Sequence, residues 1–273
     1  MPSVYVNGVM LDAAEATVSV FDHGLVTGDG VFESIAIRDG RPFALSRHLE
    51  RLACSASAIG LPLPPGEELE RAARMVVDEA GCRAGKLRIT VTGGNAGLGS
   101  ARGKADPTVV IACEAAAPPA GPAVVVVAPW PKNERGPLAG AKTISYAENV
   151  VALAYAAERG ATEALWCNTA GNVCEGTGTN IFLGIGGDLL TPPLSAGCLA
   201  GVTRGLVIEI TGAVERDLPR DRLSDVDEAF LTSTTRGVQP IALLDGRELP
   251  HAPGPLTRAA ADAFGAVATG GLD

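Results

Sequence analysis

Turn pairs bracket short apolar runs along most of this chain, and they constrain its fold more than any other feature. Asn7-Gly8 follows the run from Val4 to Val6, and Asp39-Gly40 separates Val31–Arg38 from Pro42–Leu45. Gly171 lies between residues 164–168 and 173–175, and Gly186-Gly-Asp188 between residues 179–184 and 189–191. Such turns tolerate positive φ and join adjacent antiparallel strands, so they predict hairpins. Regular strand–helix–strand alternation is absent. The expected class is therefore α+β, with largely antiparallel or mixed sheets and flanking helices in two domains. Further strands are expected at Val18–Phe21, 86–92, 108–112, 123–128 and 229–233. Helices are expected from a Ser46 cap onward, with Leu49, Leu52, Ala53 and Ala56 at helical spacing, and over 67–79, 147–158, 201–211 and 256–267.

The 273 residues suffice for two domains with sizeable cores. Proline and alanine without periodicity between Ala115 and Pro122 read as a connector. The expected organisation is an N-terminal domain over 1–115, a linker over 116–122 and a C-terminal domain over 123–273. A net charge of −9 with both signs dispersed argues against a nucleic-acid surface. The six cysteines form no CxxC pair, and with three histidines no zinc-ligand spacing exists, so no metal is expected. No run is long and apolar enough to span a bilayer, and the N-terminus lacks a signal pattern. A cytoplasmic location without membrane or nucleic-acid partners is the expectation.

Three segments carry candidate chemistry. The chain has four lysines. Lys104 and Lys132 sit in polar turns and read as solvated, and Lys86 opens a strand. Lys142 alone has no charged neighbour from Ala139 to Ala147. A desolvated lysine becomes a nucleophilic amine, although a surface stem with its head in water gives the same local sequence. Glu175 stands alone in Glu175-Gly-Thr-Gly-Thr-Asn180-Ile-Phe182. It suits a partner such as a protonated ring nitrogen, or it is a turn carboxylate satisfied by backbone amides. Leu199-Ala-Gly-Val-Thr203-Arg204 opens a helix whose amides favour a phosphate, or is an ordinary helix start.

Taken in order, these segments resemble the fold-type IV pyridoxal-phosphate (PLP) enzymes, the class IV aminotransferase family. The resemblance covers nearly the whole chain and includes Asp22-His-Gly-Leu-Val-Thr-Gly-Asp-Gly-Val-Phe-Glu33, Arg47-His-Leu-Glu-Arg51-Leu52 and Phe230-Leu-Thr-Ser-Thr-Thr235. It implies a D-amino-acid-aminotransferase-like fold, PLP as cofactor, and a homodimer acting on a small amino substrate. By this resemblance Lys142 is the Schiff-base lysine and Glu175 the partner of the ring nitrogen. Arg51, Val202 N–H, Thr203 and Thr234 are phosphate contacts, and Tyr146 lies near the ring. Thr235, Arg102 and Arg236 are candidates for the substrate carboxylate.

The family includes branched-chain aminotransferases, D-amino-acid aminotransferases and 4-amino-4-deoxychorismate lyase, which releases pyruvate and 4-aminobenzoate for folate synthesis. The D-amino-acid enzymes resemble one another in an arginine–x–histidine pair that traps the substrate carboxylate. The loop from Thr92 to Arg102 has no such pair. Branched-chain enzymes tend to be longer and to carry a tyrosine where this chain has Leu25 and Val26. The compact length and the run Lys142-Thr-Ile-Ser-Tyr-Ala-Glu-Asn149 look more like lyase-type members. The lyase is the leading expectation, an aminotransferase the alternative, and a non-catalytic binding protein on the same fold the remote one.

Overall fold

A computed structural model describes residues 3–271 and shows two compact units. One holds the chain up to residue 117 together with residues 141–146. The other holds residues 118–140 and 147–270. The segment 141–146 therefore lies with the first unit, not inside a continuous 123–273 domain as the composition shift suggested.

The first unit is built on a six-stranded antiparallel sheet. Its strands are β1 (Ser3–Val6), β2 (Val9–Asp12), β3 (Gly30–Arg38), β4 (Arg41–Pro42), β5 (Gly85–Thr92) and β6 (Thr108–Ala115), ordered β2-β1-β6-β5-β3-β4. Three helices accompany it: the short α1 (His23–Thr27), α2 (Leu45–Ala58) and α3 (Gly66–Glu79). Leu45, Leu52 and Ala56 on α2, and Leu69, Ala72, Ala73, Val76 and Val77 on α3, fall on one face of their helix and are buried. They join Ile35, Leu87, Ile89 and Ile111 of the sheet in one core. Two local expectations change. Val18–Phe21 is not a strand, and Val20 and Phe21 are exposed. Ser46 does not cap α2; the helix starts one residue earlier, after Ala44 at φ 53°, with no side-chain cap.

Residues 141–146 extend this sheet. Thr143 bridges Val31 in antiparallel fashion, Phe32 N donates to Lys142 O at 3.1 Å, and Ile144 N donates to Gly30 O at 2.9 Å. Lys142 is thus fixed by main-chain pairing with β3.

The second unit is a nine-stranded mixed sheet. Its strands are β7 (Ala123–Val127), β8 (Glu163–Cys167), β9 (Val173–Gly176), β10 (Asn180–Ile185), β11 (Asp188–Thr191), β12 (Val214–Glu215), β13 (Glu228–Ser233), β14 (Gly237–Leu244) and β15 (Arg247–Glu248). The order is β12-β11-β10-β13-β14-β7-β8-β9, with β15 on β14. Helices α4 (Ala147–Ala157), α5 (Val202–Thr211) and α6 (Pro255–Gly270) complete it. Strand β7 runs parallel to both β8 and β14, so the hairpin pattern is broken at the centre of the sheet. Every residue of β8 and β9 is buried, Glu163 and Glu175 included, so neither strand alternates between a buried and a solvent-facing side. Strand β14 carries Pro240, a residue that argues against a strand in sequence, and it was not anticipated. No helix among the described residues is long and apolar enough to cross a membrane.

Candidate active site

In the first unit the chemistry gathers around Lys142. Its Nζ donates to the Tyr146 hydroxyl at 3.4 Å and lies 4.2 Å from the Phe32 ring centroid. Phe32 and Tyr146 meet edge to face, with centroids 5.1 Å apart. Its backbone N–H donates to Ser55 Oγ of α2 at 3.0 Å. The amine is therefore held half-buried against two aromatic rings. Tyr146, expected near the cofactor ring, is a hydroxyl acceptor for this amine.

The helix that contacts Lys142 also carries Arg51. Glu33 Oε1 accepts from Arg51 Nε at 2.8 Å, and Oε2 accepts from Arg51 Nη2 at 2.6 Å, a two-point clasp. His48 Nδ1 lies 2.7 Å from the same Oε2. Glu33 is fully buried and His48 nearly so. Burial alone would raise the Glu33 carboxyl, but the bonds from Arg51 and His48 overcome it and hold it at about 2. Burial lowers His48, against the opposing pull of Glu33. The phosphate-arginine expectation thus gains two residues that sequence did not single out. Glu33 and His48 fix the direction of the Arg51 guanidinium.

Arg88 was also missed. It stands on β5, paired in register with Ser34 of β3, and its guanidinium lies 3.7 Å from the Phe32 ring centroid. Its side chain is reached by solvent, yet the protein around the guanidinium lowers its pKa, with Tyr146 acting the other way. Its hydrogen bond goes to Thr90 Oγ1 at 3.1 Å. Nothing in the alternating pattern of β5 distinguishes this cation from an ordinary outward-facing one.

Arg102, a candidate for the substrate carboxylate, is engaged elsewhere. Its Nε donates to Asp29 Oδ2 at 2.7 Å and its Nη2 to Ile59 O at 3.1 Å, and Nη1 donates to Gly60 O. These Arg102 bonds, with those from His23, hold the Asp29 carboxyl below its usual range. His23 adds a bond to Gly99 O at 3.1 Å, so Arg102 and His23 staple the loop after β5. Its cation is therefore already paired with a carboxylate far away in sequence.

In the second unit Glu175 sits on β9 opposite Trp166 of β8. Its Oε2 accepts from Leu199 N at 2.9 Å and from Asn180 Nδ2 at 3.5 Å. Its Oε1 accepts from Lys132 Nζ. Lys132 is therefore ion-paired, not solvated as its polar turn suggested. Burial of the neighbouring thiols, with the Glu175 charge acting in the same direction, raises Cys174 and pushes Cys198 up to about 11, so both stay protonated.

The turn after Glu175 is organised by the fully buried Glu163. It accepts from Thr177 N at 2.9 Å, from the Thr177 hydroxyl, and from Thr179 Oγ1 at 3.2 Å. A Cβ at Gly176 would overlap Thr179 Oγ1, so only glycine fits there. Arg236 Nη2 lies 3.1 Å from Glu163 Oε2, and its Nη1 bonds Gln239 Oε1 at 3.1 Å. Arg236, expected at a substrate carboxylate, is thus paired internally in the turn that also holds Thr234 and Thr235.

Helix α5 begins after Gly201, with no side-chain cap on its first amides. A Cβ at Gly201 would overlap Asn180 Oδ1, and Asn180 Nδ2 bonds Leu199 O at 2.9 Å. The same asparagine therefore touches Glu175 and fixes the approach to the Val202 amide and Thr203. Thr234 lies in the turn from β13 to β14.

Residues 30–244 match the family described as amino-transferase class IV. The chain belongs to this family. A putative branched-chain-amino-acid aminotransferase of Methanocaldococcus jannaschii is 34% identical over 256 residues, covering 89% of this chain and 88% of that protein. A D-alanine aminotransferase of Bacillus licheniformis is 32% identical, covering 93% of each. The crystal structure of a branched-chain aminotransferase from Thermoproteus uzoniensis with norvaline superposes with a TM-score of 0.91 at 32% identity, covering 98% of this chain and 95% of that one. Class IV aminotransferases use PLP, and this chain is a PLP-dependent enzyme with the α+β, two-domain fold of the family. These relatives are named as aminotransferases. They back the aminotransferase branch of the sequence reading over the lyase branch.

Proposed function

We propose that this chain is an aminotransferase that moves the amino group of a branched-chain-type amino acid to a 2-oxo acid. The observation that carries this reading over the D-amino-acid type is the engagement of Arg102. It is the one arginine between residues 93 and 107, a stretch without histidine, and it is bound to Asp29. The arginine–histidine trap expected of D-amino-acid enzymes has no counterpart there. The names of the Methanocaldococcus and Thermoproteus relatives point the same way.

Each unit carries groups whose chemistry suits PLP: in the first an amine at Lys142 and a guanidinium held by Glu33 at Arg51, in the second an ion-paired carboxylate at Glu175 and a helix start without a side-chain cap at Val202 and Thr203. When bound, PLP supplies an aldehyde that condenses with amines and a ring that draws electrons from the amine-bearing carbon. Lys142 Nζ would hold the cofactor and would serve as the base for the proton on that carbon. Tyr146 accepts from Nζ and orients it. Glu175 would pair with the ring nitrogen. Arg51, the Val202 amide and the Thr203 and Thr234 hydroxyls would hold the phosphate, as the family resemblance implies. Arg88, backed by Phe32, offers a cation to a substrate carboxylate, in place of Arg102 and Arg236. Thr235 stays a neighbour of the phosphate turn.

Single-turnover absorbance with a panel of amino acids tests the reading. Leucine, isoleucine or valine should convert the cofactor to its amine form, and a 2-oxo acid should restore it. Conversion by D-alanine alone would select the D-amino-acid type. Release of 4-aminobenzoate from aminodeoxychorismate, with no conversion by any amino acid, would select the lyase. We further propose that two copies associate. Val150, Val151 and Leu153 on α4 are exposed, an apolar face that a second copy would cover. Sedimentation velocity should show a dimer that V151E weakens.

A further inference from the structure

Glu175 shares its carboxylate with a cation that the expected chemistry does not use. The Lys132 backbone is anchored to the end of β8: its N–H donates to Cys167 O at 2.8 Å, and it forms a parallel bridge to Asn168. Glu175 is paired with Trp166 on the other edge of that strand. Both ends of the ion pair are therefore fixed to one strand. The second oxygen is held separately by Leu199 N and Asn180 Nδ2. A carboxylate has about four acceptor positions, and three donors already occupy this one. The side chains of Lys132 and Glu175 are 24% and 9% exposed, so solvent screens the pair only in part.

We propose that Lys132 is a positioning residue that tunes Glu175. Its ammonium fixes the carboxylate and competes for its charge, so that the cofactor's ring nitrogen holds its proton less tightly than Glu175 alone would make it. This rests on the assignment of Glu175 to the ring nitrogen. A merely structural role, neutralising a buried carboxylate, would change stability without changing the state of that nitrogen.

The test is the NMR resonance of isotope-labelled ring nitrogen in the PLP-loaded enzyme at fixed pH. In K132M and K132Q it should move toward its protonated limit, and in K132R it should return to the wild-type position. Glutamine keeps a hydrogen-bond donor without the charge, so it serves if the methionine variant is poorly folded, which circular dichroism reports. An unchanged resonance in the neutral variants, or a move toward the unprotonated limit, overturns the proposal. E175Q separates the two layers. If E175Q shifts the resonance and the Lys132 variants do not, Lys132 has no tuning role while the Glu175 assignment stands. If E175Q leaves it unmoved as well, the assignment itself falls, and the proposal with it.

Discussion

The Glu33 cluster of the first unit and the Glu175 cluster of the second are mirror images in charge logic. In the first, a fully buried carboxylate is the support and a cation, Arg51, is the group offered to ligand. In the second, the carboxylate is offered and a cation, Lys132, is the support. The supports also differ in depth. Glu33 is sealed from water and serves two bases, whereas Lys132 keeps part of its side chain in solvent. A deep support contributes to folding; a partly wet one chiefly adjusts the group it touches. Removing one partner of a buried pair strands the other, which costs more than the pair contributes.

That contrast is open to direct attack, and the largest effect should come from the deep side. E33Q removes the buried charge and one of the two acceptor oxygens that Arg51 and His48 share, and urea denaturation should show a loss of about 3–5 kcal/mol with weaker PLP binding. A loss below about 1 kcal/mol would remove the distinction between the clusters. E175Q should instead leave the melting temperature nearly unchanged while the transamination rate falls roughly 100-fold or more, the scale of losing one preorganised electrostatic contact. Stopped-flow measurement of the first half-reaction checks it.

A gentler probe is pH. Glu33 is depressed from its ordinary 4.5 to about 2, so its contribution is present above 4.5 and is lost as pH falls toward 2. His48 is also depressed, from 6.5, which means the folded state binds fewer protons than the unfolded one below that pH. Both signs agree, so stability should decline from about pH 6.5 downward, and H48Q should flatten the upper part of that decline. The smallest effect concerns Arg102. R102A should cost about 1–2 kcal/mol through its lost bonds to Asp29 and the Ile59 and Gly60 carbonyls, with KM for the amino acid almost unchanged. A large rise in KM would return Arg102 to the substrate, whereas R88A should give that rise.

What could be read in the sequence follows from locality. Lys142 stood out because its neighbours are uncharged, and Glu175 because glycines and threonines surround it. The hairpins were legible because Asn7-Gly8 and Asp39-Gly40 carry their own conformational signal. The ion pairs of Lys132, Arg102 and Arg236 could not be read because each partner lies far along the chain. Lys132 and Glu175 are 43 positions apart, and Arg102 and Asp29 are 73. Glu33 was quoted within a motif, but its task could not be seen, since burial and two bases from another element define it. The central parallel pairing of β7 was hidden for the same reason: its partners, β8 and β14, are not its sequence neighbours in a hairpin.

The six residues from Ala141 to Tyr146 leave one unit, pair with β3 of the other and return. The chain therefore cannot be cut into two self-sufficient genes at the proline–alanine connector. A fragment ending near residue 117 would lack both the segment that bridges β3 and the lysine that lies over the Phe32 ring. Modular shuffling of these halves among relatives would have to carry this short excursion along, as a graft at a second, internal position.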